Sequence, residues 1–415
     1  MEKEFNDVGA CIPGQHYMVD TSEKIEAIIR LVEKNKYFTI NRPRQFGKTT
    51  TLSLLAKQLN LREDYVALNI SFEDIDTDTY QQQKRFIVTF MEMLGREFEF
   101  LGLPEPARYT EQQLGQIINM PHLSSFIATL VRDHLSEKAP VLLIDEADKS
   151  SNNRLFLDFL GMLRKKYLLR NEGKDHSFRS VILTGVHDIK TLKAKIRVDE
   201  ETKYNSPWNI AVDFEVDLSF AACEIETMLQ DYSQEKNIRP DIPAITEKLY
   251  YYTSGYPYLV SKLCKFIDEK IVSEREDKNW SVSDVEAAFT MIVNKGYTTT
   301  LFDSMIKNLE NNKDMHKLVS EVIINGKHFD FTIANPVINI GHLYGIIIQS
   351  EHGRCHIHNR IFEQRIYDYM MSELLQTKYS ETSRKSNLLN YNQNIVSDSE
   401  FQSFSATTLR NHILP

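Results

Sequence analysis

Gly47, Lys48 and Thr49 stand behind a short apolar run, Lys36-Tyr-Phe-Thr-Ile40, and ahead of the helically spaced leucines 52, 54, 55 and 59. At such a strand, loop and helix junction, backbone N–H groups and the helix N-terminus can surround a polyphosphate. A lysine there meets the β and γ phosphates, and a small hydroxyl residue on the first helical turn reaches the accompanying magnesium. The spacing gives Lys48 the first task and Thr49 the second, with Pro43, Arg44, Gln45, Phe46, Gly47 and Thr50 completing the phosphate-contacting set. The usual pattern, GxxxxGK[ST], asks for glycine where Arg42 stands, so the first bend of the loop must be made another way. Pro43 fixes one backbone angle, and Gly47 still lets the main chain approach phosphate closely.

A second constellation follows about a hundred residues on. Val141-Leu-Leu-Ile-Asp145-Glu146 is an apolar strand ending in two acids, the Walker B arrangement. Asp145 at the strand end reaches the magnesium shell, and Glu146 orients or activates the water that attacks the γ phosphate. Asp148 is either one more acid at the metal edge or a solvated side chain. Thr184, at the end of Ser180-Val-Ile-Leu-Thr184, is either a polar sensor of the γ phosphate and attacking water or an ordinary strand end. Arg44, Arg179 and Arg197 are all candidates to stabilise transition-state charge, and the sequence does not choose among them. Near the start, Tyr17 and Asp20 of His16-Tyr-Met-Val-Asp20 either line an adenine pocket or serve packing and helix entry. The turn Gly255-Tyr-Pro257 either sets a lid against the nucleotide or simply starts a helix.

These residues need a scaffold, and the hydropathy pattern supplies one. Ile25, Ile28, Ile29 and Val32 predict a helix from Ser22 to Lys36, and strands are expected at Lys36–Ile40, Tyr65–Ile70, Pro140–Asp145 and Ser180–Thr184. The long intervals between them suit crossover helices over a parallel sheet. A fifth strand is expected within Ile210–Leu218. The domain reading is an ATPase core over residues 1–218, a helical lid over 219–295, a winged-helix-like module over 296–376 and a polar, disordered tail over 377–415. The module rests on helices leading into a hairpin, Gly345–Gln349 with Arg354–His358, and a final helix from Arg360 to Leu375.

At 415 residues the chain is long for one core, and 42% hydrophobic with 26% charged residues is a globular composition. No apolar run approaches membrane length and the start, MEKEFNDVGA, lacks the pattern of a secretory signal, so a cytoplasmic protein with no membrane partner is expected. Cys11, Cys223, Cys264 and Cys355 have no metal-ligand spacing and read as reduced thiols. The formal net charge of -9 argues against broad affinity for nucleic acid.

Tyr17-Met-Val-Asp20, Asn41-Arg-Pro-Arg-Gln-Phe-Gly-Lys-Thr49, Leu143-Ile-Asp-Glu146, Leu183-Thr-Gly185, Asn209-Ile-Ala-Val-Asp213 and Gly255-Tyr-Pro257 together resemble the AAA-like ATPases of bacteria and archaea, near the signal-transduction (STAND) branch of P-loop NTPases. In that family an arginine-proline-arginine phosphate loop is usual. The resemblance implies a parallel sheet with an extra strand inserted beside the phosphate-loop strand, then a helical lid and often a winged helix. The function expected is magnesium-dependent ATP hydrolysis driving a conformational switch on a protein partner. The alternatives are a DNA-binding regulator gated by nucleotide through the winged helix, and a nucleotide binder that hydrolyses poorly. In residues 296–376 acids slightly outnumber lysine and arginine, which favours a protein over a duplex as partner. ATP is the default nucleotide, and self-association is left open.

Overall fold

The computed structural model of the protein describes residues 2–150, 153–186 and 208–390. Arg197 therefore lies outside the described residues. In helix α1 (Ser22–Glu33), Ile25, Ile28, Ile29 and Val32 are buried at the spacing of one helical face. Strand β1 (Phe38–Asn41) follows, then the loop, then helix α2 (Lys48–Asn60), which buries Leu52, Leu55, Ala56 and Leu59. Strand β2 (Tyr65–Ser71) is followed by α3 (Gln83–Phe100), α4 (Pro104–Gln113) and α5 (Met120–Thr129). Strand β3 (Ala139–Asp145), helix α6 (Arg154–Asn171) and strand β4 (Ser180–Gly185) complete the central layer.

The four strands form a parallel sheet in the order β1-β4-β3-β2. Strand β4 thus lies between the loop-bearing β1 and the acid-ending β3. Every residue of β4 and nearly every residue of β3 is buried, which is why both read as continuous apolar runs without alternation. The aromatic core packed against the sheet centres on Phe72, Phe86, Phe90, Phe156 and Phe159.

The expected fifth strand is reduced to one point of pairing. Val212 bridges Phe38 in parallel and its N–H donates to the Tyr37 carbonyl at 2.9 Å, while Phe214 stacks on Phe38 with centroids 5.7 Å apart. Strand-forming composition brought this segment to the sheet edge, but side-chain stacking holds it there in place of a ladder.

Helices α7 (Ala222–Lys236), α8 (Ile242–Thr253), α9 (Pro257–Phe266) and α10 (Val282–Val293) come next. Gly255 between α8 and α9 has φ +70, and a Cβ there would fall 2.0 Å from the Phe220 carbonyl oxygen. Only glycine fits, since its own carbonyl accepts from the Phe220 N–H at 2.8 Å. Helices α11 (Thr300–Asn311), α12 (Lys313–Ile323) and α13 (Pro336–Leu343) lead to the hairpin β5 (Ile347–Gln349) and β6 (Cys355–Ile357). A third edge joins the hairpin where Asp330 bridges Arg354. Residues through Glu363 pack as one compact unit, and a second unit begins at Gln364. Helix α14 runs from Arg360 past the expected end at Leu375 to Asn390, so the first residues of the expected disordered tail are helical. The rest of the polar end lies outside the described residues.

His358 sits in an aromatic junction with Phe46 and Tyr256, at centroid distances of 5.9 and 5.3 Å. Burial holds its imidazole down at about 4, so the ring is neutral near pH 7. The unfolded chain takes up this proton near the ordinary value of about 6.5 and the folded chain resists it until about 4. Stability contributed by the neutral ring is therefore present above about 6.5 and lost as pH falls toward 4, by up to about 3 kcal/mol. Urea unfolding measured between these pH values should show a shallower acid loss for His358→Gln than for the wild type; parallel profiles would contradict the assignment.

Candidate functional site

The loop between β1 and α2 turns on two left-handed residues, Gln45 at φ 54 and Gly47 at φ 78. Glycine adopts this conformation freely, whereas for glutamine it is uncommon, which marks the loop as a built feature. The bend left open by the missing first glycine is made by Arg42. Its guanidinium donates to the Asn41 and Val216 carbonyls at 2.9 and 2.7 Å and lies 5.3 Å from the centre of the Phe214 ring. Its N–H donates to the Gly185 carbonyl at 3.1 Å. Arg42 thus ties the loop to β4 and to the segment at the sheet edge.

Lys48 opens α2, buried, and its ammonium donates to the Arg42 and Pro43 carbonyls at 3.0 and 2.8 Å. Burial lowers its pKa, opposed by the nearby Glu146, Asp148 and Asp145 carboxylates. The next residue, Thr49, donates its hydroxyl to one oxygen of Asp145 at 2.6 Å. The other Asp145 oxygen accepts the Thr184 hydroxyl and the Glu146 N–H, the latter at 2.9 Å. One buried carboxylate therefore joins α2, β3 and β4. Thr184 is more than an ordinary strand end, because its hydroxyl is committed to this junction.

Glu146 has φ 53, a strained backbone for a non-glycine residue that periodicity could not reveal. Asp148 is buried, accepts the Val186 N–H at 2.8 Å and fills the space left by Gly185, where a Cβ would come within 2.6 Å of its Cγ. It is a brace between the turn after β3 and the end of β4, not a solvated acid. The hydroxyl of Thr49 and the carboxylate of Asp145 are hard oxygen donors side by side, a set that suits a magnesium ion sharing its shell with phosphate and water. Among the described residues no group of three or more His, Cys, Asp or Glu could hold a metal by itself.

Beside the loop lies a partly open cleft. Gly47, Thr50 and Thr51 form one end; Tyr17, Met18, Val19, Leu218, Phe220 and Pro257 form apolar walls. Tyr17 lines it but is also packed on Phe5 and Tyr232, with centroids 4.8 and 5.1 Å away. Asp20 does not line the cleft; its carboxylate accepts the Ser22 N–H and hydroxyl and sets the entry to α1. Thr50 faces the cleft, and its hydroxyl accepts the Cys11 N–H at 3.0 Å.

Arg179 lies too far from the site to stabilise charge there from within the chain. It precedes the first residue of β4 while Thr184 is near the last, roughly 15 Å along the strand, and its guanidinium donates to the Glu33 carbonyl at 3.1 Å. Arg44 remains beside the loop, exposed, its charge opposing that of Lys48.

The outer side of the loop is covered. The Tyr256 hydroxyl donates to the Arg44 carbonyl at 2.5 Å, Phe46 meets the Tyr256 ring edge-on at 4.8 Å, and the Gln45 amide reaches Thr300 at 3.4 Å. Gly345 presses on Pro43 so closely that a Cβ would fall 2.4 Å from its Cγ. These contacts carried no sequence signal beyond the isolated glycines, since they join residues two to three hundred positions apart.

A family model described as an AAA-like domain matches residues 15–364, so residues 1–14 lie ahead of the match. No curated protein matches the sequence. Among solved structures, the Walker-type ATPase paby2304 of Pyrococcus abyssi is similar at a TM-score of 0.54 and 12% identity, over 88% of this chain and 99% of that one. The ORC2 protein of Aeropyrum pernix, described as ADPNP–ADP complexes, is similar at a TM-score of 0.50 and 11% identity, over 91% of this chain and 98% of that one. At these identities the likeness speaks for the fold, a parallel-sheet α/β P-loop ATPase fold. No helix among the described residues is long and apolar enough to cross a membrane. With the family model spanning most of its length, the chain belongs to the AAA-like domain family.

Proposed function

We propose that the protein binds ATP with magnesium, hydrolyses it, and uses the nucleotide state to reposition its C-terminal module on a protein partner. The observation that carries the reading is the 2.6 Å contact between Thr49 and Asp145, which brings the start of a helix and the end of a separate strand to one point beside a buried lysine. Lys48 would exchange its two loop carbonyls for phosphate oxygens, and the loop N–H groups and the start of α2 would complete the cradle. Thr49 and Asp145 would hold the magnesium ion, which supplies charge neutralisation for the phosphates. Glu146, held by its strained backbone just past the strand, would orient and deprotonate the attacking water, and Thr184 would keep the Asp145 carboxylate aimed. Tyr17 and the apolar walls would receive the base.

The switch has its own support in the covered loop. Pro43, Arg44, Gln45 and Phe46 each touch a residue from 256 onward, so any rearrangement of the loop on binding phosphate must be felt at Tyr256, Thr300, Gly345 or His358. We read residues from 296 onward as a winged-helix-like module, with α11, α12, the Asp330 edge, α13 and the hairpin in that order. This also suits the signal-transduction branch that the sequence resembles.

Lys48→Ala should weaken binding of a fluorescent ADP analogue by more than about 100-fold. Glu146→Gln should keep that binding while slowing hydrolysis by about 10²- to 10⁴-fold, and equal turnover by wild type and Glu146→Gln would remove the base assignment. Hydrogen exchange across residues 345–358 should differ between ADP and a non-hydrolysable ATP analogue, with Tyr256→Phe shrinking the difference; identical exchange in both nucleotide states of the wild type would contradict the switch.

A further inference from the structure

The N-terminal segment ahead of Tyr17 is not an appendage. The Glu4 N–H donates to the Gln15 carbonyl and the Tyr17 N–H to the Glu4 carbonyl, both at 3.0 Å, so the segment doubles back on itself. Asn6, Asp7, Gly9 and Cys11 then form part of the cleft wall, together with Gly47 and Phe220. Lys3 and Phe5 hold its start to α7, through Asp231 and the Tyr232 ring, and its anchors along the cleft lie on two further elements. The Asp7 carboxylate takes Lys262 on one oxygen and Lys265 on the other, the latter at 2.7 Å, and the Ser261 hydroxyl donates to the Asn6 carbonyl at 2.5 Å. All three partners belong to α9. At the other end the Cys11 N–H donates to the Thr50 hydroxyl, one residue beyond Thr49, which meets Asp145.

This segment therefore spans from α9 to the first turn of α2 along one side of the cleft. A ten-residue strap without secondary structure of its own stays down only if its anchors offset the entropy of ordering it. The anchor to α9 is ionic: Asp7 and Lys262 are only 13% and 12% exposed in their side chains, and Lys265 22%, so their attraction is little screened. Lys262 and Lys265 lie three residues apart on one helical face, so a single carboxylate bridges both. Removing that carboxylate leaves two neighbouring ammonium groups, half-shielded and repelling each other.

We infer that Asp7, gripped by Lys262 and Lys265, is a positioning residue that latches the N-terminal strap along the nucleoside end of the cleft and so sets the residence time of bound nucleotide. The inference rests on the nucleotide reading of the cleft. The latch acts on the base and ribose end, while Lys48 and Thr49 act on the phosphates. A ligand with phosphates and no nucleoside should not depend on it.

The test uses the full chain, with Asp7→Ala, Asp7→Glu and the double variant Lys262→Ala/Lys265→Ala, and with N-methylanthraniloyl-ADP and tripolyphosphate as probes. Stopped-flow release of the labelled ADP should quicken by about 10- to 100-fold in Asp7→Ala and in the double variant, and Asp7→Glu should restore most of the wild-type rate. KM for ATP should rise with kcat nearly unchanged, and tripolyphosphate should bind wild type and variants alike. Unchanged release from Asp7→Ala would overturn the latch, as would an equal loss of labelled ADP and tripolyphosphate, which signals general damage to the fold. Amide exchange in ligand-free protein gives an independent arm: residues 2–11 should exchange faster in Asp7→Ala while β1 to β4 keep their protection, and unaltered exchange at 2–11 would overturn the proposal. A wild type that binds tripolyphosphate but no labelled ADP would overturn it while leaving the phosphate loop standing; one that binds neither would take down the nucleotide reading itself.

Discussion

A single buried carboxylate organises this molecule. Asp145 accepts from the Thr49 hydroxyl, the Thr184 hydroxyl and the N–H of Glu146, which between them belong to α2, to β4 and to the turn after its own strand. A carboxylate removed from water needs such donors, and here they come from a helix, from the neighbouring strand and from the next residue of the chain. The strand order β1-β4-β3 is what makes the meeting possible. It sets the end of β4 between the loop that follows β1 and the acids that follow β3, so that hydroxyl, carboxylate and ammonium converge at the C-terminal edge of the sheet.

The loop around Lys48 is held from both sides. On the sheet side Arg42 replaces a glycine's flexibility with explicit hydrogen bonds to the Asn41 and Val216 carbonyls. On the other side a tyrosine hydroxyl, an aromatic edge and the bare backbone of Gly345 press on successive loop residues. A loop clasped in this way has few independent motions. Whatever it binds must either fit the clasped form or move the elements that clasp it, and close packing makes such shifts discrete more readily than gradual.

What the sequence made legible follows from this physics. Strands buried on both faces are apolar runs, so β2, β3 and β4 could be bounded to within a residue or two; Gly47-Lys48-Thr49 falls at the start of α2 and Asp145-Glu146 at the end of β3, as expected. Composition misled at residues 210–218, where strand formers are present but only Val212 pairs with the sheet. Asp20 was legible as polar and near the cleft, yet local bonding to Ser22 claims its carboxylate. The left-handed backbone at Gln45 and Glu146, and the pressure of Gly345 on Pro43, left no periodic trace because they arise from tertiary contact. Gly255 was visible as a turn, but the carbonyl of Phe220 that requires it was not.

In the proposed function, the Thr49 hydroxyl and the Asp145 carboxylate form one seat for a magnesium-bound triphosphate. Titration calorimetry of a non-hydrolysable ATP analogue with and without magnesium, on wild type and Thr49→Val, tests it most directly. Magnesium should tighten binding to the wild type by about tenfold or more and have little effect on Thr49→Val. An equal magnesium effect on both proteins would contradict it.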